Sequence, residues 1–128
     1  MNTQTNEADN VIDNVNAPKH YTSHPSGIEC IQIAELLPFN LGNALKYLWR
    51  SDLKWDKQED TKKAIFYLHR QVGTGKLPTY TAQECSQIKA SLDCIKDVDL
   101  ELWNICYIIT LGTFVDWLRL SNKLEAGL

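Results

Sequence analysis

The sequence predicts an all-α fold: a small bundle of about five helices that follows a disordered N-terminal tail. Apolar residues recur at helical spacing in several segments, whereas no segment alternates strongly with a period of two residues. Capping side chains, prolines and glycines, which are typical of helix starts and stops, separate these segments. We therefore expect helices and no β-sheet.

The N-terminal part of the chain divides into a tail and a loop. Residues 1–17 are rich in Asn, Asp and Thr and contain only scattered apolar side chains, so we expect them to be disordered. An ordered loop follows between two prolines and holds His20, Tyr21 and His24 within a short stretch. Because loops often carry binding residues, this loop is a candidate part of a site.

The first two helices have recognisable starts. Ser26 and Glu29 have the spacing of a capping box, with Ser26 as the N-cap, and predict a helix that runs to Leu37. The proline that follows ends this helix. Asn40 is then placed to cap a second helix, predicted over about Leu41–Ser51.

Three later helices each begin at a residue that can cap them. The predicted caps are Asp56 (with Glu59), Thr81 (with Glu84) and Asp99, and the predicted ends lie near Val72, Ile95 and Asn122. The last of these helices is apolar almost all the way round, which is typical of a helix buried on every side. We therefore expect it to lie at the centre of the bundle or to be shared with a second copy.

These elements divide the chain into three parts. They are the tail 1–17, a helical core over 18–72 and a C-terminal helical pair over 73–128 that serves packing or oligomerisation. Because a chain of 128 residues leaves much apolar surface uncovered, a homo-oligomer is the expected state.

The composition argues against two classes of function. A net charge of −3 argues against a protein that binds long nucleic acids, since such proteins normally carry a basic excess. The most apolar run, Leu100–Leu120, contains charged side chains that are costly in lipid, so we expect no membrane span. Four cysteines without a CxxC pair, and no secretory signal, predict reduced structural thiols and a cytoplasmic location.

The second helix carries the most informative polar face. Asn43, Lys46, Tyr47 and Arg50 are spaced to lie together, opposite the apolar face of the helix. Ammonium, guanidinium and amide groups donate hydrogen bonds, and phosphate oxygens accept them, so this face suits a phosphate. Further cations extend the donor array: Lys54 follows just beyond the helix, and Lys62, Lys63 and Arg70 come from the next helix. The alternative interpretation is a basic face that only contacts water.

Other polar residues have less specific roles. His20 is placed to donate a hydrogen bond to phosphate or to pass a proton, and the alternative is a capping or packing role. Glu29 and Asp60 are the candidate ligands for a metal ion such as Mg²⁺, although Glu29 also has a capping role and Asp60 is also placed to orient a lysine. The sequence leaves open whether a metal is used.

Several spaced motifs occur in order between His20 and Leu68. They are His20-Tyr21, Gly27-Ile28-Glu29, the stretch from Phe39 to Arg50, Lys54, Glu59-Asp60, Lys63-Ala64 and Tyr67-Leu68. This arrangement resembles the DUF3310 family of phage proteins, whose pattern runs HY, GIE, F-x-x-GN-x-x-KY-x-x-R, K and ED-x-x-KA-x-x-YL. The resemblance covers somewhat less than half of the chain, and nothing after Val72 belongs to it.

The resemblance implies a nucleotide site. A longer member of the family, from a T7-like phage, is a nucleotide kinase that phosphorylates deoxynucleoside monophosphates without a Walker motif and works as a large oligomer. By this resemblance, His20, Lys46 and Arg50 are the expected catalytic residues. The expected nucleotide-binding residues are His20, Tyr21, Asn43, Lys46, Tyr47, Arg50, Lys54 and Lys63.

Three functions remain open at this point. The first is a nucleotide kinase-like phosphotransferase that acts on (deoxy)nucleoside monophosphates in the host cytoplasm. The second is an anti-defence protein that sequesters a nucleotide or a cyclic-nucleotide immune signal of the host without chemistry. The third is an inhibitor that binds a host enzyme through exposed aromatic residues of the last helix, namely Trp103, Phe114 and Trp117.

Overall fold

The computed structural model describes residues 24–50 and 57–128, which contain six α-helices and no strand. The helices are α1 (Cys30–Ala34), α2 (Phe39–Arg50), α3 (Lys57–Thr74), α4 (Ala82–Lys96), α5 (Leu100–Leu111) and α6 (Phe114–Ala126). The prediction of an all-α bundle is confirmed. The predicted tail 1–17 and the loop as far as residue 23 lie outside the described residues.

The first helix begins later than predicted. Glu29, not Ser26, is the N-cap of α1, and the Glu29 backbone N–H donates to the Gln32 side-chain oxygen at 2.6 Å. The Ser26 hydroxyl instead accepts from the Ile28 N–H at 3.1 Å, so it stabilises the turn that precedes the helix. The predicted Ser26 cap was therefore wrong, and α1 also ends at Ala34, three residues before the predicted end.

The second and third helices agree with the prediction apart from their ends. Helix α2 begins at Phe39, so Asn40 lies inside the helix and does not cap it. The Gly42 N–H donates to the Pro38 carbonyl at 2.9 Å, so the first hydrogen bond of the helix is accepted by the residue just before Phe39. Helix α3 begins at Lys57 as expected and continues to Thr74, while the predicted cap Asp56 lies outside the described residues.

The caps of the next two helices are confirmed. The Thr81 N–H donates to the Glu84 carboxylate at 2.8 Å, and the Glu84 N–H donates to the Thr81 hydroxyl at 3.1 Å. At the start of α5, the Asp99 carboxylate accepts from the Leu102 N–H at 3.0 Å. Both helices thus begin at the residue that local hydrogen-bonding chemistry predicts.

The predicted long last helix is wrong, because the chain breaks at Gly112 into α5 and α6. Gly112 has an extended backbone, and a Cβ at this position would overlap the Ile108 carbonyl oxygen and lie 3.0 Å from the Asp116 Cβ. Thr113 and Asp116 then form a capping box for α6, with the Thr113 N–H donating to Asp116 at 2.9 Å. The apolar periodicity passes through this break, so periodicity alone did not reveal it.

The two C-terminal helices are not buried on every side. Trp117 is fully buried, and its indole N–H donates to the Ile108 carbonyl at 2.9 Å. Trp103 and Phe114 are half-buried against the core, whereas Leu100 and Tyr107 are exposed. Of the three aromatic residues that the inhibitor hypothesis expects to be exposed, Trp117 is therefore not at the surface.

One hydrophobic core joins the two halves of the described chain. Helix α2 packs on α3, and α3 packs on α6. The apolar face predicted for α2 is buried, as are partners from α3, α5 and α6: Leu41, Ala44, Leu45, Leu48, Trp49, Ala64, Leu68, Cys106, Ile109 and Trp117. None of the helices in the described ranges has the length and apolarity required to cross a membrane.

Candidate functional site

Three of the predicted binding residues meet on the surface formed by α2 and α3. The Lys46 ammonium lies 4.7 Å from the centre of the Tyr47 ring, and the Lys63 ammonium lies 5.3 Å from the same centre. Both distances are within the range of cation–π attraction. We call these three residues the lysine–tyrosine cluster. Because α2 packs directly on α3, two cations that are 17 positions apart in the sequence converge on one ring.

A row of aromatic rings continues from this cluster. Tyr47 stacks on Tyr67, with the ring planes 7° apart and their centres 6.1 Å apart. Phe39 and Phe66 both present an edge-to-face contact to Tyr67, at 6.0 and 5.1 Å. Phe39 is 73% exposed and Phe66 is 56% exposed. Sequence reasoning did not single out Phe66, and it named Phe39 and Tyr67 only as parts of the motifs quoted above.

A neighbouring carboxylate pairs with one ammonium group of the cluster. Glu59 lies one helical turn before Lys63, and their side chains are 3.3 Å apart. The hydrogen bond to Glu59 raises the pKa of Lys63, whose ammonium group is protonated at neutral pH even without this partner. Both side chains are exposed, and solvent screens such surface pairs. Lys63 is therefore charged and only weakly held by its partner.

A shallow groove of about 380 Å³ lies between α1 and α2, next to the cluster. Phe39, Asn43 and Lys46 line one side of it. The Asn43 amide donates to the Phe39 carbonyl at 3.0 Å, which fixes its orientation. Gly42 allows the two helices to approach, since a Cβ there would lie 3.1 Å from the Ala34 carbonyl oxygen.

The opposite wall of the groove is formed by α1. It contributes two carboxylates and a thiol: Glu29, Glu35 and Cys30. Burial raises the pKa of Cys30 to about 12, so its thiol is not ionised at neutral pH. The groove thus combines an apolar floor with one amide, one ammonium group and two carboxylates.

A larger cleft of about 830 Å³ lies between the α2–α3 pair and the α5–α6 pair. Charged side chains of both signs line it: Lys57, Arg119, Lys123, Asp99, Glu101 and Asp116. Two of the acids have structural roles, because Asp99 binds His24 and Asp116 caps α6. Trp49 also borders this cleft, and its indole N–H is buried with no hydrogen-bond partner among the described residues.

His24 joins the two halves of the chain. The His24 Nε2 lies 2.9 Å from an Asp99 carboxylate oxygen, and the His24 Nδ1 lies 2.8 Å from the Ser26 hydroxyl. Because Nδ1 also accepts from the Ser26 backbone N–H, the ring proton belongs on Nε2, which donates to Asp99. The ring packs 5.7 Å from Trp49 and is largely buried. We interpret this contact, which sequence reasoning missed, as structural.

The His24 contact affects the ionisation of Asp99. Burial alone would raise the pKa of Asp99, but the hydrogen bonds from the His24 ring and the Leu102 N–H outweigh this effect. The pKa of Asp99 therefore lies below its usual value.

Several predicted site residues cannot be placed. His20, Tyr21 and Lys54 lie outside the described residues, and so does the side chain of Arg50, the last residue of α2. The metal candidates are both placed: Glu29 is exposed at the start of α1 and Asp60 is buried in α3. Within residues 24–50 and 57–128, no three His, Cys, Asp or Glu side chains form a group that could hold a metal ion.

The comparison with known families supports the resemblance stated above. Residues 15–69 match the family model of DUF3310. This family is described as a protein of unknown function. The matched segment contains α1, α2 and most of α3, and therefore the whole lysine–tyrosine cluster, whereas α4, α5 and α6 lie outside it. No curated protein and no solved structure matches the chain.

Proposed function

We propose that the protein binds a phosphate-bearing nucleotide at the lysine–tyrosine cluster. The observation that carries this proposal is the convergence of Lys46 from α2 and Lys63 from α3 on the ring of Tyr47. Two ammonium groups on different helices give a local positive charge and several hydrogen-bond donors, which phosphate oxygens require. The DUF3310 match covers these three residues.

The charge of the whole chain favours a small ligand over a polymer. The chain carries a net charge of −3, so a long nucleic acid would meet an acidic surface over most of its length. A mononucleotide or a cyclic nucleotide contacts only a few side chains and is attracted by the local cations. The proposal therefore concerns a small nucleotide.

In its catalytic form, the proposal is a nucleotide kinase-like phosphotransferase. An oxygen of the 5′-phosphate of a (deoxy)nucleoside monophosphate attacks the terminal phosphorus of a nucleoside triphosphate, and the bond to the leaving diphosphate breaks. Two nucleoside diphosphates result. Lys46, Arg50 and Lys63 would neutralise the phosphate charge, which is the main requirement of this reaction. His20 would orient the acceptor, and a Mg²⁺ ion at Glu29 or Asp60 is an optional addition.

The second candidate function is sequestration of a nucleotide or a cyclic nucleotide without chemistry. The observation that favours it is the size of the groove beside the cluster, about 380 Å³. This volume suits one nucleotide, whereas phosphoryl transfer requires two nucleotides to be bound at once. Sequestration requires only the binding surface.

Helix α5 has exposed apolar residues that are a candidate surface for self-association. Leu100, Tyr107 and Leu111 are exposed, and their spacing of seven and four residues places them on one face of the helix. This face supports the further proposal that the protein forms a homo-oligomer. The whole proposal fits a phage protein that acts in the cytoplasm of its host.

Binding is tested with two lysine variants and a matched control. Thermal-shift and calorimetric titrations with nucleoside mono-, di- and triphosphates and with cyclic dinucleotides compare the wild type with Lys46→Ala, Lys63→Ala and Lys62→Ala. Lys62 precedes Lys63 on α3, is exposed, and points about 100° away. We expect about tenfold weaker binding for the first two variants and a change of at most about twofold for Lys62→Ala.

The outcomes separate binding from catalysis. The proposal fails if no nucleotide in the panel binds, or if both cluster variants bind as the wild type does. Chromatography of a mixture of triphosphate, monophosphate and protein then distinguishes the two functions. New diphosphates indicate phosphoryl transfer, and full recovery of the unchanged nucleotides indicates sequestration.

A further inference from the structure

We infer that the groove between α1 and α2 holds the base of the bound nucleotide, and that the Phe39 ring is the surface on which this base stacks. The inference rests on the proposed function, because it assigns the other end of the same ligand. It names the residues that recognise a base, whereas the lysine–tyrosine cluster accounts only for phosphate.

The first argument is position. Lys46 belongs both to the wall of the groove and to the lysine–tyrosine cluster. A nucleotide whose phosphate contacts Lys46 therefore has the groove beside it. The volume of about 380 Å³ lies at the lower end of the range of small-molecule sites, about 300–1,000 Å³. This volume suits one nucleoside and is small for two.

The second argument is the exposure of Phe39. This phenylalanine is 73% exposed, although its edge contacts Tyr67. Burial of a phenyl ring and stacking of a base on an aromatic side chain are both favourable. A base on Phe39 gains this stabilisation without any rearrangement of the core, since Phe39 is at the surface at the start of α2.

The third argument concerns the polar groups around the base. The Asn43 amide nitrogen donates to the Phe39 carbonyl, so the Asn43 side-chain oxygen is held in a fixed direction as an acceptor. Two carboxylates of the groove, Glu29 and Glu35, are acceptors as well. Acceptors match the exocyclic amino groups of adenine, guanine and cytosine, which uracil and thymine lack. The groove therefore favours an amino-bearing base.

The test compares nucleotides with the same phosphates lacking a base. Calorimetry measures the binding of ATP, GTP, CTP, UTP and their monophosphates, with inorganic tripolyphosphate and phosphate as the probes without a base. For the wild type, we expect the best nucleotide to bind about tenfold more tightly than the matching inorganic phosphate, and UTP to bind more weakly than the other triphosphates.

Three phenylalanine variants test where the base binds. Phe39→Ala removes the advantage of the nucleotide and leaves tripolyphosphate binding within about twofold of the wild type, whereas Phe39→Trp restores the advantage. Phe66→Ala is the matched control, because Phe66 is also exposed and also contacts Tyr67 but does not line the groove. We expect its nucleotide affinity to stay within about twofold of the wild type. Thermal unfolding checks that each variant is folded.

Different experimental results would contradict this inference and the proposed function. If the wild type binds nucleotides and tripolyphosphate equally well, or if Phe39→Ala and Phe66→Ala cause equal losses, the base does not occupy the groove, while phosphate binding stands. If the wild type binds neither kind of probe, the proposed function fails and the inference fails with it.

Discussion

The groove and the larger cleft differ in how much the residues that line them contribute to the stability of the fold. The cleft has about twice the volume, but its walls hold the molecule together: Asp99 binds His24, Asp116 caps α6, and Trp49 is a buried core residue. The groove is lined by α1, α2 and the residues next to their ends, and its lining includes the exposed Phe39 and Lys46 of the lysine–tyrosine cluster. The proposed nucleotide site is therefore the smaller of the two concavities.

This difference predicts opposite responses to substitution. Changes in the wall of the cleft are expected to lower stability and to leave nucleotide affinity unaltered in the folded protein. Changes in the exposed side chains of the groove and the cluster are expected to lower affinity and to leave stability unaltered. Each of the following experiments tests one side of this contrast.

The largest effect is expected at Trp49. Trp49→Ala removes a side chain that is 4% exposed and is expected to lower the free energy of unfolding by about 3–5 kcal/mol, measured by urea denaturation. Trp49→Phe should cost less, because it also removes the unpartnered buried indole N–H. Phe39→Ala, at the exposed ring of the groove, is the control and should change stability by less than about 1 kcal/mol. Equal losses of unfolding free energy at Trp49 and Phe39 would show that the cleft and the groove do not differ in this way.

The second effect concerns nucleotide affinity. The double variant Lys46→Ala/Lys63→Ala is expected to bind about 100-fold more weakly than the wild type, if each lysine contributes about tenfold independently. Arg119→Ala/Lys123→Ala removes two cations of the cleft and should change affinity by at most about twofold. The opposite ranking, measured by calorimetry, would move the nucleotide site from the cluster to the cleft.

The third experiment measures stability and tests how tightly α1 packs on α2. Gly42→Ala places a Cβ 3.1 Å from the Ala34 carbonyl oxygen, so the floor of the groove must shift and stability should fall by about 1–3 kcal/mol. Gly73→Ala, in the last turns of α3, meets no atom within 4 Å and should be neutral or stabilising by up to about 1 kcal/mol. A neutral Gly42→Ala would show that α1 moves freely on α2.

The smallest effect concerns pH and the His24–Asp99 contact. Because the folded-state pKa of Asp99 is lowered, its contribution to stability is complete above the ordinary Asp pKa of about 4. This contribution is lost as the pH falls from that value through the lower pKa of the folded state. The wild type should therefore lose more stability than Asp99→Asn between about pH 5 and pH 3 in urea denaturation.

The exposed Asp97 provides the control for this measurement. Asp97 lies two residues before Asp99, at the end of α4, and none of the hydrogen bonds described above involves its side chain. Asp97→Asn should follow the wild-type pH profile. If Asp99→Asn and the wild type lose stability in parallel over this range, the His24–Asp99 contact contributes nothing to folding.

Local chemistry made much of the fold predictable. Thr81 with Glu84, and Asp99, begin their helices where their side chains can cap them, and both were predicted. Ser26 was misassigned because its hydroxyl stabilises a turn two residues on instead of the helix itself. The break at Gly112 was missed because apolar residues recur at helical spacing on both sides of it.

Helical spacing alone predicted the candidate site only within α2, although Lys63 of the next helix was among the expected binding residues. Asn43, Lys46 and Tyr47 lie together because their spacing on α2 requires it. The approach of Lys63 depends on how α2 packs on α3, which no local pattern determines. The contact between His24 and Asp99 joins residues 75 positions apart, and neither neighbourhood indicates the other.

The helix break at Gly112 has a consequence for engineering. Helix α6, which begins after this break, packs on α3, and the Ser121 hydroxyl lies 2.9 Å from the His69 ring. Helix α3 is thus held in place by a segment that supplies no group to the proposed nucleotide surface. Shortening the protein at residue 112 would leave every proposed contact residue in the sequence and still weaken binding, since Lys63 would lose its fixed distance from Tyr47.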